Sequence, residues 1–284
     1  MGMKAISVAA GILVACGGSG PHTGDDTTPP DDAATTFPDA NVACTGTTVT
    51  DVSGPITADA MWSGTINLTA AANVPVGVTL TMLPGTLLLG ATAGKITVAG
   101  KLDIQGTKAC PVTARPSDAT WSGIVVASGG ELDAHYLDQT GGSILLQGTA
   151  TATIIDSRMA RTTHDFLVMS GGTLDLEYSW MGVEAGQPDT THCDLHFAGT
   201  VTNTLKVTHN NISTAVYGLM FYNGMGADFT YNNWFGNLRD IDIDPTRQVN
   251  GDFSFGWFEK GAPSLVGVTV NNLATDRLTD AGPR

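Results

Sequence analysis

Residues 78–90 read VTLTMLPGTLLLG and residues 95–107 read KITVAGKLDIQGT. In both stretches apolar residues alternate with Thr, Lys or Asp over short runs, and each run stops at Gly or Pro. Side chains of a strand point to opposite faces in turn, so Leu80 with Met82, Ile96 with Val98, and Leu102 with Ile104 each share one face. Runs this short, punctuated by Gly and Pro, are strands and not helices. Thr65-Ile66-Asn67-Leu68 repeats the pattern, and from Pro55 onward there is almost no helical period.

The strands recur inside larger units. A Gly followed by alternating residues opens at Gly130 (GELDAHYL), Gly148 (GTATATII), Gly172 (GTLDLEYSW), Gly199 (GTVTNTLKV), Gly226 (GADFTYNN) and Gly251 (GDFSFGWF). Units of this size cannot bury an apolar face alone and must stack on their neighbours, which defines a solenoid. An antiparallel sandwich also has many short strands, but it does not produce Gly-led units at a near-constant period. A period of roughly 24 residues gives about nine coils between residues 44 and 275, with residues 276–284 as a tail.

Residues 55–126 carry VTLTMLPGTLLLG, KITVAGKLDIQGT, CPVTARPS and WSGIVV in that order. The succession of a Thr-Leu-Thr strand, Pro-Gly-Thr, a Val-x-Gly-x-Leu strand, Gly-Thr, a Pro-Val strand and Trp-x-Gly-Ile resembles the opening coils of bacterial parallel β-helix proteins of the pectin-lyase-like class. Residues 127–273 match the looser repeat of that class. The resemblance implies an all-β fold, a right-handed parallel β-helix.

At the other end, MGMKAISVAAGILVAC places Lys4 before an apolar run too short for the roughly 20 residues that span a bilayer. Leu13-Val14-Ala15-Cys16 resembles the lipobox of bacterial lipoproteins, which implies removal of residues 1–15 and acylation of Cys16. More than one acyl chain gives stable anchoring without a spanning segment. Gly17 in place of Asp implies, by the same resemblance, sorting to the outer membrane, with the body on its periplasmic face or at the cell surface.

Residues 16–43 follow as an acidic tether: Asp25, Asp26, Asp31, Asp32 and Asp39 stand among Pro, Thr and Gly with no Lys or Arg. Such a composition reads as disordered, with an average reach of roughly 28 Å. The formal charge is −14, and losing Lys4 takes it to −15. A body this acidic excludes nucleic acid as a partner. Cys44, Cys110 and Cys193 remain after lipidation, an odd number in an oxidising compartment. A Cys44–Cys110 pair would staple the start of the fold to its first turns; the alternative is three buried thiols.

An aromatic-type residue followed by an Asn pair occurs twice, as His209-Asn210-Asn211 and Tyr231-Asn232-Asn233. Asn tolerates the left-handed backbone of a tight corner and bonds its copy on the next coil. Setting Asn211 over Asn233 puts Leu219 over Ile241 and Phe221 over Ile243, facing inward. Gly218, Met220 and Tyr222 then lie outward over Asp240, Asp242 and Asp244. One coil back, Cys193, Leu195 and Phe197 take the inward positions and His192, Asp194 and His196 the outward ones.

The expected binding face is therefore His192, Asp194, His196, Tyr222, Asp240, Asp242 and Asp244. His192 and His196 sit roughly 13 Å apart along a strand, too far to share one metal ion. Asp240, Asp242 and Asp244 offer the oxygen ligands of a calcium site, or simply a solvated acidic face. Neighbouring pairs among them meet the roughly 5–9 Å spacing of glycosidase carboxylates. Yet the chain lacks the Gly-His-Gly, Arg-x-Lys and Asn-Thr-Asp elements of polygalacturonases. Neither Arg239 and Arg247 beside the acids nor Arg158, Arg161, His164 and Asp165 upstream match a lyase motif, so no catalytic role is assigned. Phe253, Phe255, Trp257 and Phe258, near Trp234 and Phe235, are expected to close the last coil.

These features together favour a membrane-anchored, non-catalytic envelope or surface lipoprotein that binds polysaccharide or an envelope partner. Two alternatives share the sequence: a calcium-assisted polysaccharide lyase or glycoside hydrolase, and a structural subunit of an envelope assembly.

Overall fold

The computed structural model describes residues 44–187, 189–198, 204–222, 224–244 and 246–284. The expected signal segment, the expected lipidation site Cys16 and the expected tether lie outside the described residues. Within them the fold is all-β, without a helix, and the strands stack in parallel as a β-helix of about nine turns.

Each turn contributes three short strands to three ladders. Glu131–His135, Leu137–Thr140 and Ser143–Leu146 make one such turn, and Thr151–Ile155 begins the next directly above the first of them. We call the ladders sheets one, two and three in that order. Sheet one has ten strands, from Ala60–Trp62 to Val268–Thr269. Sheets two and three join at the first turns, because Thr65–Val74 bends across their corner. Its Thr65–Leu68 half pairs with Leu87–Gly90 and its Ala71–Val74 half with Lys95–Val98.

Period-two alternation sets what is inside. Leu102, Leu132, Ala152, Leu174 and Leu205 stack in register on sheet one, with Ile104, Ala134, Ile154, Leu176 and Val207 beside them, all buried. Each fully buried Leu or Ile contributes about 1.5–3 kcal/mol, so columns of them hold the coils in register. Coil length is free to vary because only the strands must superpose: Leu102 pairs with Leu132, but Leu132 pairs with Ala152.

The corner from sheet one to sheet two explains the Asn pairs. One residue per coil adopts the left-handed conformation there: Tyr136, Asp156, Tyr178, His209, Tyr231 and Phe255, with φ between 46° and 60°. The sequence pointed to Asn as the left-handed residue; the structure gives that role to the residue before it. Outside the corner the rings stack, Tyr178 on His209 at 4.8 Å, His209 on Tyr231 at 4.8 Å and Tyr231 on Phe255 at 5.1 Å. This contact offsets part of the cost of left-handed backbone in a residue with Cβ.

The first Asn of each pair turns inward. Asn232 Oδ1 accepts the Asn210 N–H at 2.7 Å, Asn210 Oδ1 accepts the Ser179 N–H at 2.8 Å, and Ser179 Oγ accepts the Ser157 N–H at 3.1 Å. A buried ladder thus satisfies backbone donors that a sharp corner would orphan. The second Asn turns outward: Asn211 lies over Asn233 in register, and Asn233 Nδ2 donates to Asn211 Oδ1 at 2.8 Å.

Cys44 and Cys110 are disulfide-bonded with Cα atoms 5.5 Å apart, and Cys193 is free and buried. At the far end Phe253 stacks on Phe229, and Phe258, also buried, stacks on Trp234. Residues 276–284, the expected C-terminal tail, lie along the solenoid. Leu278 N–H donates to Asn233, and Arg284 pairs with Asp156, several coils below the point where the segment begins.

Candidate functional site on the outer face of sheet three

Sheet three carries Asp165–Met169, Cys193–Phe197, Tyr217–Phe221 and Arg239–Asp242 on successive coils. The register stacks Asp165, Cys193, Tyr217 and Arg239 in one column and Val168, His196, Met220 and Asp242 in another. His192 precedes its strand and Tyr222 follows its own, so both flank these columns.

Asp165 joins two of these residues. His192 Nδ1 lies 2.8 Å from Asp165 Oδ1 and His196 Nδ1 lies 2.5 Å from Asp165 Oδ2. Burial pushes the Asp165 pKa up, but the hydrogen bonds from His196 and His192 outweigh it and the net shift is downward. An ionised carboxylate only accepts, so both imidazoles donate from Nδ1, and Nε2 lies on the other side of each ring. The two histidines, expected far apart along their strand, are brought together by one carboxylate on the preceding coil.

On the far side Tyr222 Oη donates to Asp242 Oδ2 at 2.7 Å, and Arg239 Nη1 donates to Asp242 Oδ1 at 3.1 Å. Ring contacts close the circuit. His192 meets the edge of Tyr217 at 5.2 Å, His196 meets Tyr222 at 5.6 Å, and the Arg239 guanidinium stands 6.0 Å over Tyr217. Burial, with the Asp242 hydrogen bond behind it, raises the Tyr222 pKa, so its phenol remains a donor. Seven side chains from four coils thus enclose Cys193 and Met220, both buried.

Four of the seven expected residues belong to this circuit: His192, His196, Tyr222 and Asp242. The other three do not. Cys193, Asp194 and Leu195 are all fully buried, because strict alternation fails where the strand leaves the corner. Leu195 and Phe197 join the apolar core, but Cys193 does not; it takes the column of Asp165 and Tyr217. Asp194 turns away from the outer face, toward Asp189 and the backbone of Ser213, and among the described residues no donor comes close enough to give either carboxylate oxygen a full hydrogen bond. Burial, then the Asp189 charge, pushes its pKa well above the carboxylate range.

Asp240 occupies the next-but-one position of the same column, after Gly218, and is held by Asn237 Nδ2 at 3.0 Å. Asp244 sits in the following turn, where it accepts from Thr246 N–H at 2.9 Å and Thr246 Oγ1 at 2.6 Å. The three carboxylates offered for calcium therefore serve three separate partners. Among the described residues no group of three or more His, Cys, Asp or Glu converges as a metal site.

Beside the circuit, at the corner of sheets two and three, lies a cleft of ≈ 600 Å³ lined by Trp121, Thr140, Ser143, Arg161, Thr162 and His164 among others, with no carboxylate among the described residues. Trp121 forms its floor: the ring fits where Gly90 and Gly142 have no Cβ, and Nε1 donates to the Thr140 carbonyl at 3.1 Å. Cleft and circuit share their framework. Ser143 Oγ donates to the Asp165 carbonyl at 2.7 Å, and the His192 N–H donates to the His164 carbonyl at 3.0 Å. Asp165, Tyr217 and Trp121 were missing from the expected face; only the 28-residue step from Asp165 to Cys193, visible as a register, brings the first of them in.

Fold and site together define a parallel β-solenoid with a polar, aromatic-lined outer face. Compared with models of known protein families, with curated proteins and with solved structures, the chain matches none.

Proposed function

We propose that this is a non-catalytic envelope or surface lipoprotein, anchored through Cys16, whose sheet-three face and adjoining cleft bind a polysaccharide strand. The observation that carries the reading is the closed circuit of His192, Asp165, His196, Tyr222, Asp242, Arg239 and Tyr217 beside a carboxylate-free cleft. Its planar rings and amphipathic edges are the groups that take sugar rings, with hydroxyl-bearing Thr and Ser side chains next to them. Its two acids are each committed to two donors. Hydrolysis needs one protonated acid and one free base flanking the bond, and neither Asp165 nor Asp242 is so disposed. The likeness of residues 55–126 to the pectin-lyase-like class supports the same ligand chemistry.

A glycan array probed with the full chain in detergent tests the binding, and Asp165→Ala with Tyr222→Phe should abolish the signal. Release of unsaturated or reducing ends from any bound polysaccharide would overturn the non-catalytic reading. The anchor has a separate test: Cys16→Ser should move the protein from the membrane to the soluble fraction, and continued retention contradicts it.

A further inference from the structure

The outer face of sheet two is occupied by the chain's own residues 272–284. Asn233 grips this segment at two points, accepting the Leu278 N–H at 2.8 Å and donating to the Leu278 carbonyl at 2.9 Å. Asn211 Nδ2 donates to the Ala281 carbonyl at 3.1 Å, and the Gly282 N–H donates to the His209 carbonyl at 2.8 Å. These bonds read backbone, not side chains. Gly282 has φ +101°, a conformation that L side chains rarely adopt, and a Cβ there would also stand 2.3 Å from Asn211 Nδ2, so the segment favours glycine at that point.

Two arginines supply the side-chain recognition. Arg277 lies 4.0 Å over Phe235 and 5.3 Å over Trp180, with Glu184 at 3.5 Å. Arg284 lies 3.8 Å over the Tyr178 ring, and its Nε and Nη2 donate to the two oxygens of Asp156 at 3.0 Å each. Each arginine therefore has an aromatic platform and a carboxylate, the arrangement that suits a planar guanidinium. Apolar burial adds little: of residues 272–284 only Gly282 is buried. A segment held by part-buried polar bonds, with little apolar burial behind them, has lower local stability than the core and opens before it does.

We infer that this face is a docking groove for an extended, arginine-bearing segment of a partner protein, and that residues 272–284 hold it in cis. Two features argue for a partner over a second copy. The tethered segment is present at an effective concentration on the order of millimolar, and an identical segment from another copy brings no contact that it lacks. A partner can add apolar residues over Trp180 and Trp257, which the present occupant leaves half-buried. The charge also fits, since a chain of net charge −14 attracts a cationic segment. The inference stands apart from the saccharide reading, which concerns sheet three.

The test uses the full chain carrying Arg277→Ala and Arg284→Ala, titrated into a fluorescent peptide of residues 272–284. The peptide should bind the variant, bind the wild-type chain at least tenfold more weakly, and lose at least tenfold when Ala replaces both arginines in the peptide. No binding to a variant that still melts cooperatively overturns the inference. If the double variant does not fold, hydrogen exchange on Arg284→Ala decides. Faster exchange confined to residues 272–284 supports a displaceable segment, and faster exchange throughout the coils makes it a structural clamp. Concentration-dependent dimers of the wild-type chain that exchange this segment would assign the groove to a second copy and overturn the partner.

Discussion

Asp165 and His196 meet at 2.5 Å across adjacent coils, and the other oxygen of the same carboxylate holds His192. Charge-assisted hydrogen bonds of this kind contribute about 1.5–3 kcal/mol, so Asp165→Asn should lower stability by that order. The pH dependence has a defined sign. Because the folded-state pKa of Asp165 lies below its ordinary value, its contribution is complete above the unfolded carboxylate pKa of about 3.9 and is lost as pH falls through the folded value. Urea midpoints of wild type and variant should therefore differ at pH 7 and converge below about pH 4. A gap that stays constant to pH 3 would rule out an ionised Asp165 as the acceptor.

Asp194 has the opposite sign. Its folded pKa is raised by burial and by Asp189, so the unfolded state gives up its proton more readily. Stability is then highest below the unfolded pKa and declines as pH rises from about 3.9 toward the folded value. Asp194→Asn removes the ionisation while keeping the shape, and should gain on wild type as pH rises from 5 to 8, by about 1–3 kcal/mol at most. Thermal melts at both pH values measure this. A variant less stable than wild type at pH 8 would mean that the carboxylate is matched by a partner in the folded protein.

The two Asn residues of each pair should behave differently. Asn232 is fully buried and serves the Asn210 N–H and the Val207 and Phe229 carbonyls, so Asn232→Ala leaves several polar groups without partners. A loss of about 2–4 kcal/mol is expected, from roughly 1–3 kcal/mol per orphaned group. Asn233 is fully buried too, but its partner Leu278 lies in the half-buried C-terminal segment, where water can replace the lost bonds once the segment lifts, so Asn233→Ala should cost less, under about 1.5 kcal/mol. Equal shifts in denaturant midpoint would contradict the division of inward and outward roles.

Register between neighbouring coils was legible where side chains repeat: Asn211 over Asn233 and Leu219 over Ile241 both hold. The face one coil back was half legible. Alternation carried from Phe197 to His192 puts Asp194 outside, but near the corner the column of Phe166, Asp194, Gly218 and Asp240 turns inward. Phe166, fully buried, is the residue that signals it. Asp165 was harder to place because residues 182–191 lengthen that coil, and a period read from spacing alone misses a register that only strand pairing enforces. The course of residues 276–284 left no periodic trace, since backbone bonds to Asn211 and Asn233 and two arginine platforms hold them, and none of these needs alternation.

The floor of the cleft depends on missing side-chain atoms. A Cβ at Gly142 would stand 2.7 Å from the Trp121 ring, and the backbone there has φ +63°. Gly142→Ala therefore adds a clash to the strain of left-handed backbone, and Trp121 must shift or the corner must open. Gly129 provides the control, with φ +81° and no atom of the described residues within 4 Å of its Cβ position. Gly129→Ala should cost about 1 kcal/mol from strain alone. Gly142→Ala should cost a further 1–3 kcal/mol, roughly, from overpacking and should weaken ligand capture by the cleft. Denaturant midpoints of the two variants give by difference the crowding of the new Cβ against the Trp121 ring and the Gly123 Cα, 2.8 Å away; equal losses would show that both yield freely and that neither sets the shape of the cleft.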